Sequence, residues 1–206
     1  MLKQLRSKRQ PFGLSMVLLM LTWQVGQPLQ AATLYWDADT IALSNSITGA
    51  NIGGSGTWNT TNTNWWDGAS STDTIASFGS GDTAVFSGLG GIVQLTSPFS
   101  LGGITFSQTP AGSTFNITGD GTTATQLTLQ GAGSAPGALA VNVAGTDTIS
   151  AIIAGANGLN YSSTTTGTLL LSGANTFSGT INISSGTLAA FSDANLGAAA
   201  NGITFN

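Results

Sequence analysis

The 206-residue sequence contains no cysteine and no histidine, and all eight of its acidic residues are aspartates. Its four cations, Lys3, Arg6, Lys8 and Arg9, all fall within the first nine positions. Each absence removes a class of chemistry. Without cysteine there are no disulfides, no thiol nucleophile and no zinc site of the Cys/His type. Without histidine a Ser–His pair has no base to take the serine proton. Beyond Arg9 no lysine or arginine is available for a Schiff base, for proton abstraction in the manner of a polysaccharide lyase, or for neutralising phosphate. No glycine-rich stretch is followed by a lysine, so no phosphate-cradling loop is present.

The positive charges have one explanation. They precede an apolar run from Phe12 to Val25, which leads through Gly26-Gln27-Pro28-Leu29-Gln30 to Ala31 and Ala32. A basic start, an apolar middle and small residues at the end are the parts of a signal peptide. The run is about 14 residues, short of the roughly 20 that span a bilayer as a helix. The expected signal peptide is 1–31, with cleavage after Ala31. Losing it takes the formal charge from −4 to −8, since four cations leave and eight aspartates remain. Such an exported chain repels nucleic acid and anionic headgroups and has no segment for direct membrane insertion.

What is present is apolar side chains, at 41%, and 29 glycines. From residue 81 the apolar residues form short strings at 83–86, 92–95, 104–106, 114–118, 126–129, 139–143, 148–152, 168–171, 181–183, 187–189 and 203–205. Many alternate, as in Phe115-x-Ile117, Leu127-x-Leu129 and Ile181-x-Ile183, which puts one face inward and one to solvent. A spacing of about 8–12 residues predicts an all-β fold. A short helical turn is expected near Asp193–Leu196. Phrases recur: Gly102-Gly103-Ile104-Thr105-Phe106-Ser107 returns as Asn201-Gly202-Ile203-Thr204-Phe205-Asn206, and Gly167-Thr168-Leu169 as Gly186-Thr187-Leu188. Asp-Thr precedes strings at Asp82-Thr83 and Asp147-Thr148. Degenerate repeats of this kind predict a solenoid, in which each coil buries its apolar face only by stacking on the next. Residues 32–80 differ, holding Trp36, Trp58, Trp65 and Trp66 among Asn, Thr, Ser and Gly. They are expected to form an N-terminal cap whose rings cover the first coil. The predicted division is 1–31 signal peptide, 32–80 cap and 81–206 solenoid repeats.

Residues 167–188, with Gly167-Thr168-Leu169, Leu171-Ser172-Gly173, Asn175-Thr176-Phe177, Gly179, Ile181, Ile183 and Gly186-Thr187-Leu188, resemble the autotransporter-associated β-strand repeat. Phe177 stands where that family usually has Tyr, and Ser178-Gly179-Thr180 where a double glycine is common. Gly155-Ala156-Asn157-Gly158-Leu159 resembles the family's lead-in, with Asn160-Tyr161 in place of the usual Lys. Tyr35-Trp36-Asp37, Gly56-Thr57-Trp58-Asn59, Asn64-Trp65 and Gly81-Asp82-Thr83-Ala84-Val85-Phe86 resemble the amino ends of such passengers. The strong part covers about 25 residues and the weaker part most of the exported chain. The resemblance implies a right-handed parallel β-helix with an N-terminal cap, exported to the outer-membrane surface or the extracellular space of a Gram-negative-type bacterium. It also implies a translocator β-barrel downstream if the gene is longer. The sequence stops at Asn206 within a strand-like string, as expected of a truncated passenger or of a relative exported by another route.

Only aspartates remain as candidate catalytic groups, and no catalytic residue, cofactor or metal ligand is assigned. Asp37 and Asp39 are the closest pair and share a face if their segment is a strand. They read as two solvated loop carboxylates, with an acid–base pair for glycoside hydrolysis as the alternative. Asp120, in Gly119-Asp120-Gly121, and Asp147 read as turn residues. Calcium would need the Gly-Gly-x-Gly-x-Asp repeat, which does not occur. The tryptophans read as a buried cap core, with sugar stacking as the alternative. The predicted function is a non-enzymatic structural or adhesive rod whose partners are surface glycans or other copies of itself. An aspartate-dependent glycoside hydrolase or glycan-binding β-helix is the alternative. The uncharged string Ile203-Thr204-Phe205 is a candidate edge for self-assembly.

The signal peptide generates the first test. The exported protein is expected to begin at Ala32. Intact-mass measurement of the secreted chain would show it, and retention of Lys3 to Arg9 would refute it.

Overall fold

A computed structural model describes residues 31–206, apart from 76, 77, 80, 108, 109, 111, 112 and 143. The expected signal peptide lies outside the described residues except for Ala31, as does Val143 at the end of the 139–143 string.

The described strands are short. The first are β1 (Thr33–Trp36), β2 (Gly56–Trp58), β3 (Trp65–Trp66), β4 (Thr83–Phe86), β5 (Gly91–Leu95) and β6 (Phe99–Leu101). Next come β7 (Gly103–Phe106), β8 (Phe115–Thr118), β9 (Leu127–Leu129), β10 (Gly137–Val141), β11 (Thr146–Ile149) and β12 (Ile153–Ala154). The last are β13 (Leu159–Ser163), β14 (Thr168–Leu171), β15 (Ile181–Ile183), β16 (Thr187–Ala190) and β17 (Ile203–Phe205). The only described helical pieces are 3-10 turns of three or four residues, including Asp193–Leu196 where a turn was expected.

The strands sort into three sheets by position in a coil. The first sheet runs β17-β15-β13-β10-β7-β4-β1-β3, the second β16-β14-β11-β8-β5-β2, and the third β12-β9-β6. Among the described strands every pairing is parallel except that of β1 with β3. A chain that visits the same sheets in the same order and always in the same direction is a parallel β-helix, as the family resemblance implies. The recurring phrases fall at equivalent places. β7 and β17 both belong to the first sheet, and β14 pairs with β16 through Thr168↔Thr187 and Leu169↔Leu188. The two Asp-Thr pairs are not equivalent: Thr83 opens β4 in the first sheet, while Asp147 and Thr148 lie inside β11 in the second.

Register decides what is inside. In the first sheet Ile104, Leu139, Tyr161 and Ile183 stand in line, and all but the half-buried Ile183 are fully buried. In the second, Val93, Ile117, Ile149 and Leu171 do the same. Adjacent strands in a sheet lie about 4.8 Å apart, so each inward side chain rests on its counterpart one coil away. Phe86 and Phe106 show the contact directly, stacked at 5.6 Å between ring centroids and 30° between planes. Tyr161 is accommodated inside because its hydroxyl donates to the Thr187 carbonyl at 2.9 Å.

Three features were not expected from sequence. β1, β2 and β3 continue the first two sheets into the tryptophan-rich segment. The 148–152 string is not one strand: β11 ends at Ile149, the Ser150 and Ala151 amides turn onto the Ile117 carbonyl, and β12 starts a new side. After β12 the third side has no further strand, and buried asparagine side chains join a few backbone bonds such as Thr176 N–H to Ile153 O in holding it. Asn175 accepts the Ile153 amide at 2.7 Å and donates to the Asn195 carbonyl at 2.6 Å. Asn195 in turn donates to Gly173 O at 2.9 Å. Both asparagines are buried, and each supplies hydrogen bonds that a corner of the backbone lacks.

Two glycines separate close approach from conformation. Gly158 has φ +81°, and a β-carbon there would meet the Thr180 carbonyl oxygen at 2.2 Å. Gly121 has φ +79° with nothing within 4 Å. Gly121→Ala is expected to cost about 1–2 kcal/mol, from the left-handed backbone alone. Gly158→Ala is expected to cost several times more, because the neighbouring coil must shift. Denaturant midpoints of the two variants check the difference, and equal losses would contradict the packing described.

Candidate functional site

The N-terminal segment brings together the residues with chemistry to consider. Trp36 and Trp65 stand opposite each other across β1 and β3, with ring centroids 5.3 Å apart, and Trp58 meets Trp65 at 4.8 Å. Phe78, Phe86 and Phe99 close around them. Trp36, Trp58 and Trp65 are wholly buried. Trp66 points the other way, is 5% exposed, and packs with Tyr35, Ala42 and Ile52. None of the four presents a face to solvent, so they form packing and not a sugar-stacking platform.

Asp37 follows β1 and is not a solvated loop carboxylate. It is 1% exposed and bridges to Gly53. Its Oδ2 accepts from Asn45 Nδ2 and its Oδ1 from the Asp39 amide. Asn64 holds the same turn, accepting the Asp37 amide at its carbonyl and donating from Nδ2 to Asp37 O. The sequence misses this burial because it is created by loop residues 45 and 64. Asp39 is solvated as expected, and its Oδ1 accepts the Ile41 amide at 2.8 Å. The intervening Thr40 has φ +60°, a strained setting for a β-branched residue. Asp37 and Asp39 both line a cavity of about 460 Å³ with Asn51, Ser55, Leu89 and Pro110.

A third carboxylate, Asp73, escaped sequence reading. Thr74 pairs with Trp65 through reciprocal amide bonds, which carries Asp73 toward the turn after β1. Burial pushes its acid up to about 6, and the charges of Asp37, Asp39 and Asp67 push the same way. Burial also raises Asp37, against the lowering effect of Asn45 and with the charge of Asp39 adding to the rise. No three described acidic side chains are arranged to hold a metal ion.

Asp120 is a turn residue as expected. Its Oδ1 accepts from the hydroxyl and amide of Thr122 and from the Thr125 hydroxyl, bonds that lower its acid. Asp147 is not. It lies in β11, fully buried, beside Leu169 in register. Its Oδ1 accepts the Phe115 amide at 2.7 Å, and its Oδ2 has no hydrogen-bond partner. Sequence alone places it in a turn, because a charged residue rarely occupies a core rung. Burial pushes this carboxyl up to about 6.

With this geometry in view, comparison with known proteins gives two matches. Residues 164–190 match the passenger-associated-transport-repeat, beginning just after β13 and spanning β14, β15 and β16. The chain is also 35% identical over 180 residues to the adhesin BmaC autotransporter of Brucella suis biovar 1 (strain 1330). That alignment covers 84% of this chain and 4% of the adhesin. No solved structure matches. A parallel β-helix carrying this repeat is a passenger-type fold. The chain is an autotransporter passenger-like repeat protein.

Asp147 gives the section's prediction. Its folded acid is raised above the ordinary value of 3.8, so the folded state holds the proton more tightly than the unfolded state. The associated stability is complete below about pH 4 and is lost as pH rises through about 6, on the order of 3 kcal/mol for this site. Asp37 and Asp73 act in the same direction. The thermal midpoint is expected to be higher near pH 4.5 than near pH 7.5. Asp147→Asn should add about 1–3 kcal/mol at neutral pH and shrink the difference. Melts that improve steadily from pH 4.5 to 7.5 would show that the carboxylate is not desolvated as described.

Proposed function

We propose that this chain is an exported, adhesive stretch of passenger-type β-helix, displayed at the bacterial cell surface and without catalytic activity. The observation that carries the reading is its 35% identity, over most of its length, to part of a protein named as an adhesin. The chain spans 4% of that adhesin, so activity at the level of the whole protein belongs to the proposal. On this reading residues 1–31 direct export and residues 32–80 cap the coils of 81–206. A translocator β-barrel encoded downstream is the membrane partner. Surface glycans or further copies of the rod are the external partners.

The candidate chemistry supports a non-catalytic role. Both oxygens of Asp37 are engaged within its own loop, by Asn45 and the Asp39 amide. Asp147 is sealed in the core, away from any substrate. A glycosidase needs two carboxyl groups facing one bond from opposite sides, with their oxygens free to act.

The test is made in the parent bacterium. Antibodies raised against residues 81–206 are expected to label intact cells, and in-frame deletion of that segment should lower attachment to host-cell or matrix-coated surfaces several-fold. Undiminished attachment, or labelling only after permeabilisation, would overturn the proposal.

A further inference from the structure

The outer face of the first sheet has a composition of its own. Strands β7, β10, β13, β15 and β17 contain no charged residue. Register aligns their outward positions in two rows. One row reads Gly103, Ala138, Asn160, Asn182 and Thr204, and the other includes Thr105, Ala140 and Ser162. All are small or are neutral hydrogen-bonding residues. Between the rows lies a groove of about 520 Å³ that crosses β10, β13 and β15 and extends to Asn206. It runs along the solenoid axis, past strands about 4.8 Å apart.

The groove has a polar rim and a shallow floor. Ala138 and Ala140 make the floor at β10, where no side chain extends beyond a methyl group. On the next coils Asn182 Nδ2 donates to Asn160 Oδ1 at 2.9 Å. That single bond fixes both amides and leaves Asn160 Nδ2 as a donor and Asn182 Oδ1 as an acceptor. The exposed Ser162 hydroxyl stands one step along β13. Donor, acceptor and hydroxyl are thus held together on the sheet across the two coils of β13 and β15.

This lining selects its occupant. A polyanion finds no cation, and a cationic peptide finds no carboxylate. An amphipathic helix finds no deep apolar pocket for its anchor residues. An added strand finds no free edge, since the backbone groups of β10 and β13 are paired on both sides. A neutral chain dense in hydroxyls meets every condition. We propose that this groove binds a neutral glycan strand laid along the solenoid axis, with Asn160, Ser162 and Asn182 as its hydrogen-bonding residues. This deepens the adhesive reading and rests on it for its biological setting.

The test uses the purified chain in native affinity gels containing a neutral β-glucan, a neutral mannan, a neutral galactan or dextran sulfate. Ser162→Arg places a long cation in the groove. Gln94→Arg, at an exposed position in the second sheet, adds the same charge elsewhere. Melting midpoints confirm that both variants are folded. The expected result is retardation by at least one neutral polysaccharide, reduced at least tenfold in affinity by Ser162→Arg and unchanged by Gln94→Arg. Retardation by dextran sulfate alone, by none of the polymers, or equally in both variants would overturn the proposal. Attachment of cells displaying Ser162→Arg separates the two levels. If polysaccharide binding is absent from the purified chain but cells still attach, the groove fails and the adhesive reading stands. If cells lacking the segment attach normally, the adhesive reading itself fails.

Discussion

Inside the first sheet Ile104, Leu139, Tyr161 and Ile183 lie one above another, and similar columns of Val, Ile and Leu fill the second. No coil shields its own inward residues. Each depends on the coil before and after it, so burial is a property of neighbours and not of any single repeat. The parallel register is what makes this work, because it places like positions in contact for as long as the chain keeps step. The corner glycines, the buried asparagines and the tyrosine hydroxyl all serve that register. The asparagines and the tyrosine satisfy backbone groups, and the glycines let neighbouring coils approach.

The sequence discloses the columns and hides the corners. Phe115-x-Ile117 and Leu127-x-Leu129 show an alternation that survives translation into β8 and β9. β12 has two residues and β3 has two, and no period can be read from so short a string. The three-residue β6 is hidden for the same reason, beside a proline. β13 alternates, but its outward Asn160 and Ser162 and inward Tyr161 and Ser163 form no apolar string to mark it. The 148–152 string misleads because its apolar residues continue around a bend, and hydrophobicity carries no mark of direction.

The candidate site follows the same division. The tryptophans read correctly as packing: Trp36, Trp58 and Trp65 bury one another and Trp66 is 5% exposed. Asp37 and Asp147 read incorrectly because nothing beside them in sequence buries them. Asp37 is enclosed by Asn45 and Asn64, and Asp147 by strands from two other coils. Asp73 could not be associated with Asp37 without the Trp65–Thr74 bridge. Each of these carboxylates sits in a protein that has no cation within the described residues to balance it. Burial therefore raises all three acids, with no arginine to offset it.

The later coils also share a pitch. Ala138, Asn160, Asn182 and Thr204 stand in register with 22 residues between one and the next, as the Asn160–Asn182 bond makes explicit. That number sets a quantum for change in the gene. Removing or duplicating the 22 residues between counterpart positions of the first sheet slides one coil out or in and returns the side chains that follow to their rows, whereas Thr168 and Thr187 of the second sheet are in register 19 apart. Removing a single residue turns an inward column outward from that point on. A lineage carrying this fold can thus lengthen or shorten its rod by unequal recombination between coils, while small insertions are confined to the corners, where the spacing is already irregular.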